Sequence, residues 1–214
     1  MNDAKINYLF AEPLYCVNIA DEIEPNLLEL LVDTLDKKNL RPNDKNYISK
    51  DDRLFDTVLE NTNLVNVIKD QIAVYKHNVM GYGDKVDLVI TQSWLNYNRA
   101  GEGHHRHNHP NSIVSGVFYV QLDSTASEFI VHRHMNSASL IIDPLPDYQT
   151  EWNSDTMTFR PKPGDLFLFK SQTLHSVTEN RSSMPRISLS FNTFFNGDFY
   201  AGTNKLAKMN LLVK

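Results

Sequence analysis

The sequence predicts a mainly β protein, a jelly roll braced by N-terminal helices. About eight short segments rich in β-branched and aromatic residues, separated by turn residues, follow one another after residue 85. Before that residue, apolar side chains recur at helical spacing. The 214 residues can form one domain with a full core, so we expect a single domain over 1–214. Its expected parts are an N-terminal strand with bracing helices (1–84), a β core (85–196) and a C-terminal tail (197–214).

Two helices are predicted in the N-terminal part, after one or two short strands over 6–19 that are interrupted at Pro13. The first helix follows Asp21, and its apolar positions are Leu27, Leu28, Leu31, Val32 and Leu35. The second helix ends near Gly81, and its apolar stripe consists of Leu64, Val65, Val67, Ile68, Ile72, Tyr75 and Val79. Because each stripe covers one face of its helix, we expect both helices to pack against a sheet.

The β core begins with the segment 86–97, which is rich in β-branched and aromatic residues. The other predicted strands are 113–122, 128–132, 139–142, 157–160, 165–170, 175–178 and 186–195. Many short strands separated by turns are typical of an antiparallel sandwich or barrel, and one jelly roll is the simplest architecture that contains them.

Composition excludes several classes of function. A net charge of −5 and an isoelectric point near 5.9 provide no clustered basic face, so we expect no nucleic-acid partner. Cys16 is the only cysteine, which excludes an intrachain disulfide, and we interpret it as a small buried hydrophobic residue. No long apolar segment is present near the N-terminus, so we expect neither a signal peptide nor a membrane span, and we predict a cytoplasmic location.

A histidine cluster is the first candidate site. Four of the eight histidines lie between residues 104 and 109, just after Gly101 and Gly103. In extended chain, a His-x-His pair directs both rings to one side of the strand, and imidazole is a common ligand of transition metals. We therefore predict that His107 and His109 share one metal ion. The alternative interpretation is a solvated histidine-rich loop.

Two later segments add candidates. His175 follows the apolar strand 165–170, although a single histidine in such a place is more often packed or exposed than bound to metal. The strand from 186 alternates strictly, and Arg186 and Ser188 lie on its polar face. By itself this face could contact water. Inside a barrel, however, a guanidinium fork matches a carboxylate, and a hydroxyl two residues on can support the same oxygen.

Taken in order, His107-x-His109, His175 and Arg186-x-Ser188 resemble the core of the Fe(II)/2-oxoglutarate-dependent dioxygenases over roughly residues 92–195. The resemblance is strongest to the prolyl-hydroxylase-like branch and to a subgroup with His-x-His-Pro and Ser-Gly-x-x-Tyr-Val. It implies a cupin-like double-stranded β-helix in which the three histidines hold Fe(II) and Arg186 with Ser188 holds the co-substrate 2-oxoglutarate. Tyr97, ten residues before His107, matches a tyrosine that bonds the co-substrate.

The resemblance implies an enzyme that oxidises an unactivated carbon and couples this reaction to the decarboxylation of 2-oxoglutarate. The substrate is expected to be a small molecule or a peptidyl residue. Two rival hypotheses stay open. The first is a cupin-like three-histidine metalloenzyme that does not use 2-oxoglutarate and binds the carboxylate of its substrate through Arg186. The second is a non-catalytic barrel that binds a ligand. We interpret Tyr119 as a core residue, and Trp94, Tyr148 and Trp152 as possible linings of a substrate entrance.

His109 departs from the family pattern, because a carboxylate is usual at its position. Three neutral imidazoles leave the site one charge more positive than two histidines with a carboxylate, and this change can favour other metals. A carboxylate from elsewhere could complete the site, and the candidates are Glu102, Asp123 and Glu128. Alternatively, His105 and His107 form the pair, one register earlier. We prefer His107 and His109 because Pro110 follows them, as in the subgroup.

Overall fold

Two antiparallel sheets face each other in the computed structural model, which describes residues 5–7, 11–33, 39–123, 125–134, 146–199 and 209–213. The strands are β1 (Leu14–Asn18), β2 (Leu40–Pro42), β3 (Tyr47–Ser49), β4 (Val86–Asn98), β5 (His104–His107), β6 (Val114–Gln121), β7 (Phe129–His132), β8 (Thr156–Phe159), β9 (Asp165–Lys170), β10 (His175–Val177), β11 (Arg186–Phe199) and β12 (Met209–Leu211). The helices are α1 (Leu27–Asp33) and α2 (Asn63–Asn78).

The larger sheet has the order β1-β9-β6-β11-β4-β3-β2, with β12 paired to β11, and the smaller has the order β5-β10-β7-β8. From β4 onward the chain passes repeatedly from one sheet to the other. This alternation is the jelly-roll arrangement, so the predicted fold class is confirmed. The sheets meet through aromatic rings, for example Phe129 of β7 and Phe169 of β9, whose ring centroids are 5.5 Å apart.

The hydrophobic residues form two clusters, one on each face of the larger sheet. The helices cover the outer face, where α2 buries a stripe that includes Leu64, Ile68 and Ile72. The inner cluster lies between the sheets and contains Val117, Tyr119, Leu122, Phe129, Phe167 and Phe169. Burying one large apolar side chain contributes about 1.5–3 kcal/mol, so the bracing helices stabilise the sheet that carries most of the site.

Several predicted elements differ from the structure at their ends. Strand 165–170 is β9, whereas the strand predicted to end at 195 continues to Phe199 in β11. The helix predicted after Asp21 begins at Leu27, because residues Ala20–Glu22 form a 3-10 turn first. Four strands of the structure, β2, β3, β5 and β12, have no counterpart among the predicted strands. The predicted strand 139–142 and the predicted helix position Leu35 lie outside the described residues.

The interpretation of Cys16 as a buried residue is wrong. β1 is an edge strand of the larger sheet, and the Cys16 side chain is exposed on it. Among the described residues, no helix is both long enough and apolar enough to span a membrane.

Gly116 of β6 is required by close packing. A β-carbon at this position would overlap the ring of Phe191, which is fully buried on the neighbouring strand β11. We therefore expect Gly116→Ala to lower the free energy of unfolding by about 1–3 kcal/mol, as overpacked cores do. Urea unfolding checks this, with Gly83→Ala as the control because a β-carbon there meets nothing within 4 Å. Equal stability of the two variants would contradict the packing argument.

Candidate metal and co-substrate site

Three histidines from separate parts of the chain converge between the sheets. His107 ends β5 and lies opposite His175, the first residue of β10. His109 lies beyond the end of β5, and its backbone N–H donates to the Ser171 carbonyl at 2.8 Å. The expectation that His107 and His109 share one strand is therefore wrong. Their side-chain nitrogens nevertheless lie, with that of His175, within 4.8 Å of one another.

Backbone carbonyls orient two of the three rings. His107 Nδ1 is 2.8 Å from the carbonyl oxygen of His105, and His175 Nδ1 is 2.9 Å from that of Thr173. A carbonyl can only accept, so each Nδ1 carries the proton and each Nε2 keeps its lone pair. A hydrogen bond from the ring nitrogen that does not face the metal fixes the tautomer of metal-binding histidines in this way.

Burial keeps the histidines neutral. Loss of hydration is the main cause and the neighbouring His107 adds to it, and the pKa of His175 is thereby lowered to about 2 and that of His109 to about 4. The pKa of His107 is also lowered, mainly by burial. Neutral imidazoles offer lone pairs, so the cluster is ready to bind a cation at neutral pH.

The same pKa shifts predict acid sensitivity of the metal-free protein. In the unfolded chain a histidine binds a proton below about pH 6.5, whereas buried His175 stays neutral far below that. The unfolded state therefore binds more protons, and the free energy of unfolding should fall as pH drops below about 6.5, by up to about 1.4 kcal/mol per pH unit for each such histidine. Urea unfolding between pH 7.5 and 5 checks this. His175→Gln should show a smaller slope, and an unchanged slope would contradict the assignment.

The nitrogen positions fit a transition-metal ion. Nε2 of His109 and Nε2 of His175 are 3.4 Å apart. An ion about 2.1 Å from two imidazole nitrogens at right angles holds them about 3.0 Å apart, so little movement is needed. His104, His105 and His107 form a second close group, but it shares His107 with the first. The two groups are therefore alternatives for one ion.

The geometry favours the group with His109. His105 is half-exposed, and its Nδ1 is 3.1 Å from a carboxylate oxygen of Asp44, outside the cavity. The carboxylates considered from the sequence are also engaged elsewhere. Glu102 pairs with Arg99 at 2.5 Å, Glu128 pairs with Arg160 at 2.7 Å, and Asp123 accepts hydrogen bonds from a serine and a threonine. Among the described residues, no carboxylate lines the cavity that contains the three histidines.

Arg186 places a buried positive charge in the same cavity. The residue is 3% exposed, its Nη1 donates to Asn98 Oδ1 at a long 3.3 Å, and its Nε makes no hydrogen bond. No carboxylate of the described residues pairs with it. The hydroxyls of Ser188 and Tyr119 are likewise buried without a hydrogen bond of ordinary geometry. Buried donors and an uncompensated cation are costly, so this cluster is suited to an anion.

One cavity joins the histidines to Arg186. Its lining residues are Trp94, Asn96, His104, His107, His109, Gly116, Val117, Phe129, Phe169, His175, Val177, Arg186, Ser188 and Ser190. The cavity has a volume of about 40 Å³, which is small beside the roughly 300–1,000 Å³ of typical ligand pockets.

The structure does not bring Tyr97 to this cavity. Tyr97 lies opposite Ile187 and packs against the helix-side cluster, so the role implied for it by the resemblance is not supported by its position. Its neighbours in β4 face inward instead: Asn96 lines the cavity and Asn98 bonds to Arg186. Strict alternation from Trp94 along β4 was the signal that could have shown this.

Tyr119 was missed as a functional candidate. It lies opposite Ser188 in the β6–β11 register, and its ring centroid is 5.2 Å from Cζ of Arg186. Burial raises the pKa of Tyr119 to about 12, so the hydroxyl keeps its proton and can donate it to an anion.

Of the three aromatic residues considered as entrance linings, Trp94 lines the cavity, whereas Tyr148 and Trp152 do not and are exposed.

Comparison with known proteins agrees with this geometry. Residues 92–192 match the family model described as "Putative 2OG-Fe(II) oxygenase", where 2OG is 2-oxoglutarate. No curated protein sequence matches the chain. The structure is similar to a 2OG-Fe(II) oxygenase family oxidoreductase from Burkholderia pseudomallei, with 15% identity, a TM-score of 0.57 and coverage of 84% of this chain and 83% of that chain.

Two further structures share the fold. A prolyl hydroxylase from Trichoplax adhaerens, in complex with a hypoxia inducible factor peptide, has 14% identity, a TM-score of 0.54 and coverage of 85% and 83%. The epimerase SnoN, in complex with Fe3+, alpha ketoglutarate and nogalamycin RO, has 10% identity, a TM-score of 0.56 and coverage of 87% and 81%. The segment 92–192, which matches the 2OG-Fe(II) oxygenase family model, contains every residue that lines the cavity, so the similarity to this family covers the whole candidate site.

Proposed function

We propose that this protein is an Fe(II)- and 2-oxoglutarate-dependent dioxygenase, a hydroxylase, in which His107, His109 and His175 hold the iron. The observation that carries the proposal is the shared cavity, which has a neutral three-histidine cluster and a buried, unpaired Arg186 on its walls. A metal ion with a bound dicarboxylate satisfies both sets of groups, whereas neither alone does.

The histidines serve as ligands through Nε2. In His107 and His175 the Nδ1 proton is held by a backbone carbonyl, so neither ring must change tautomer to bind the ion. Iron, when bound, supplies the activation of dioxygen, which the side chains alone cannot perform. Because the rings are buried and their pKa values are lowered, protons do not compete for the nitrogens at neutral pH.

Arg186, Ser188 and Tyr119 bind the distal carboxylate of 2-oxoglutarate in this proposal. All three have buried side-chain atoms that make no hydrogen bond of ordinary geometry: Nε of the arginine and the two hydroxyl oxygens. A guanidinium can donate two parallel bonds to a carboxylate, and the hydroxyls can donate one bond each. Dry surroundings strengthen these bonds and fix the position of the co-substrate.

The overall reaction consumes one 2-oxoglutarate, one dioxygen and one C–H bond of the substrate. It produces succinate, carbon dioxide and the hydroxylated substrate, so one oxygen atom enters succinate and the other enters the product.

We propose a small-molecule or peptidyl substrate, supported by the range of ligands in similar folds, which includes a peptide fragment and nogalamycin RO. The cytoplasmic location stays a prediction. The family match does not favour the rival three-histidine metalloenzyme that works without 2-oxoglutarate.

Succinate release tests the proposal. Protein reconstituted with Fe(II) under anaerobic conditions and then supplied with 2-oxoglutarate and oxygen should form succinate and carbon dioxide in equal amounts. Omission of iron, or the His175→Ala substitution, should abolish both products. The prime substrate need not be known, because mass spectrometry can detect the slow conversion of 2-oxoglutarate to succinate in its absence. Protein that binds both Fe(II) and 2-oxoglutarate but forms no succinate would instead support the non-catalytic barrel.

A further inference from the structure

A row of polar side chains crosses the inner face of the larger sheet next to the cavity. Its members are Ser171, Ser115, Asn192 and Gln92. Ser115 lies opposite Asn192 in the β6–β11 register, and Asn192 lies opposite Gln92 in the β11–β4 register. The two serines are each 1% exposed, and Asn192 is 5% exposed. None of the four residues lines the cavity.

The hydrogen bonds of the row run in one direction. Ser115 Oγ is 2.8 Å from Asn192 Oδ1, and this carbonyl oxygen can only accept, so Ser115 is the donor. A hydroxyl has one proton, and the 2.8 Å bond between Ser115 and Ser171 must therefore be donated by Ser171. Asn192 in turn donates from Nδ2 to Gln92 Oε1 at 3.4 Å. Bonds aligned in this way polarise and strengthen one another.

The row ends at the turn that holds two of the proposed metal ligands. Ser171 directly follows β9, and its carbonyl accepts the backbone N–H of His109 at 2.8 Å. Two residues later, the Thr173 carbonyl accepts the Nδ1 proton of His175. His107, by contrast, is oriented by a carbonyl of its own strand, that of His105. The turn 171–173 thus serves His109 and His175 but not His107.

Packing alone does not account for the row. Neighbouring inner-face positions on β6 and β9 are apolar, among them Val117, Phe167 and Phe169. Apolar side chains at the three buried positions, Ser115, Ser171 and Asn192, would close this level of the sheet without the need to satisfy two buried hydroxyls and one buried amide. A fully bonded polar row has one stereochemical solution, which fixes the backbone of the turn more narrowly than apolar contacts do.

We propose that Ser171, Ser115 and Asn192 form a positioning network that sets the turn 171–173 and thereby places His109 and His175 for metal binding. The proposal rests on the ligand roles proposed above. It explains how His109 can be a ligand although it lies outside β5 and has no carbonyl bonded to its own ring among the described residues. The network acts through backbone carbonyls, so its members are positioning residues.

Ser115→Ala tests the network, with Ser93→Ala as the matched control. Ser93 is also a serine that is 1% exposed, but it accepts the Phe55 N–H on the other side of the larger sheet. Anaerobic titration with Co(II) should show about tenfold weaker binding in Ser115→Ala and a changed visible spectrum, since loss of an outer-shell partner costs about 10–100-fold in affinity. Ser93→Ala should bind within about twofold of the parent. Equal affinities and spectra for the two variants would overturn the proposal.

Hydrogen exchange in the metal-free protein gives a readout that does not depend on the ion. In Ser115→Ala the His109 amide and the His175 Nδ1 proton should exchange about tenfold faster, whereas the His107 Nδ1 proton should not change. Uniform acceleration at all three positions would indicate general loosening and would overturn the network. If Ser115→Ala does not fold, Ser171→Ala removes the same hydrogen bond from the turn side.

A third variant separates this inference from the proposed function. If His109→Ala loses Co(II) affinity while Ser115→Ala does not, the ligand assignment stands and the network is wrong. If His109→Ala binds Co(II) like the parent, the ligand assignment itself is wrong.

Discussion

Replacing Arg186 with alanine should weaken the binding of 2-oxoglutarate to the metal-loaded protein by about 2–5 kcal/mol, the usual effect of removing one member of a desolvated charge pair. The guanidinium is buried, and no carboxylate of the described residues pairs with it. An incoming carboxylate therefore gains a strong partner without competition from the protein. Anaerobic calorimetry with 2-oxoglutarate measures the difference directly.

Two further variants make the Arg186 test specific. Lysine at this position keeps the charge but lacks the planar fork, so it should restore only part of the affinity. Arg99 is the matched control because its guanidinium is exposed and already paired with Glu102, and Arg99→Ala should leave 2-oxoglutarate affinity within about twofold. If Arg186→Ala bound 2-oxoglutarate as tightly as the parent, the carboxylate clamp would have to be sought elsewhere in the cavity.

The sequence predicted the fold and the chemistry of the site better than the direction of individual side chains. Alternation along β11 placed Arg186 and Ser188 on one face, and both line the cavity. Tyr97 was chosen by its distance from His107 in the motif, and distance in sequence does not say which face of a strand a residue occupies. The register with β11 decides that, and it pairs Tyr97 with the outward-facing Ile187.

Irregularities of the strands explain the rest. Between β5 and β10, the pairs His107 with His175 and His104 with Val177 enclose one more residue on β5 than on β10, so the strand contains a bulge. Both His104 and His107 consequently face the cavity, although period-two alternation would place them on opposite faces. Bulges leave no reliable mark in a single sequence. The position of His104 on the cavity wall and the position of His109 beyond the end of β5 therefore could not be predicted.

In the proposed assignment, three imidazoles set the charge of the metal site. His109 takes the third ligand position, and the described residues supply no carboxylate in its place, because Glu102, Asp123 and Glu128 are held elsewhere. With iron bound, three neutral imidazoles leave the site one charge more positive than two imidazoles with a carboxylate. Two substitutions of His109 can therefore separate the effect of the number of ligands on metal binding from the effect of their charge.

His109→Ala should lose most of the metal affinity, whereas His109→Asp should keep it. Alanine leaves two protein ligands, and the loss should exceed about 100-fold because removal of an outer-shell partner alone costs about 10–100-fold. Aspartate restores a third ligand and lowers the positive charge of the site by one, so turnover of 2-oxoglutarate should be at least comparable with that of the parent. Anaerobic Fe(II) titration and succinate formation measure the two effects.

The control for both substitutions is His105→Ala, which removes a half-exposed histidine that contacts Asp44 outside the cavity. It should leave Fe(II) affinity within about twofold of the parent if the ion is held by His107, His109 and His175. The opposite pattern, with full affinity in His109→Ala and a large loss in His105→Ala, would move the site to the alternative group of His104, His105 and His107. Because the two groups share His107, the ion cannot occupy both, and this pair of titrations decides between them.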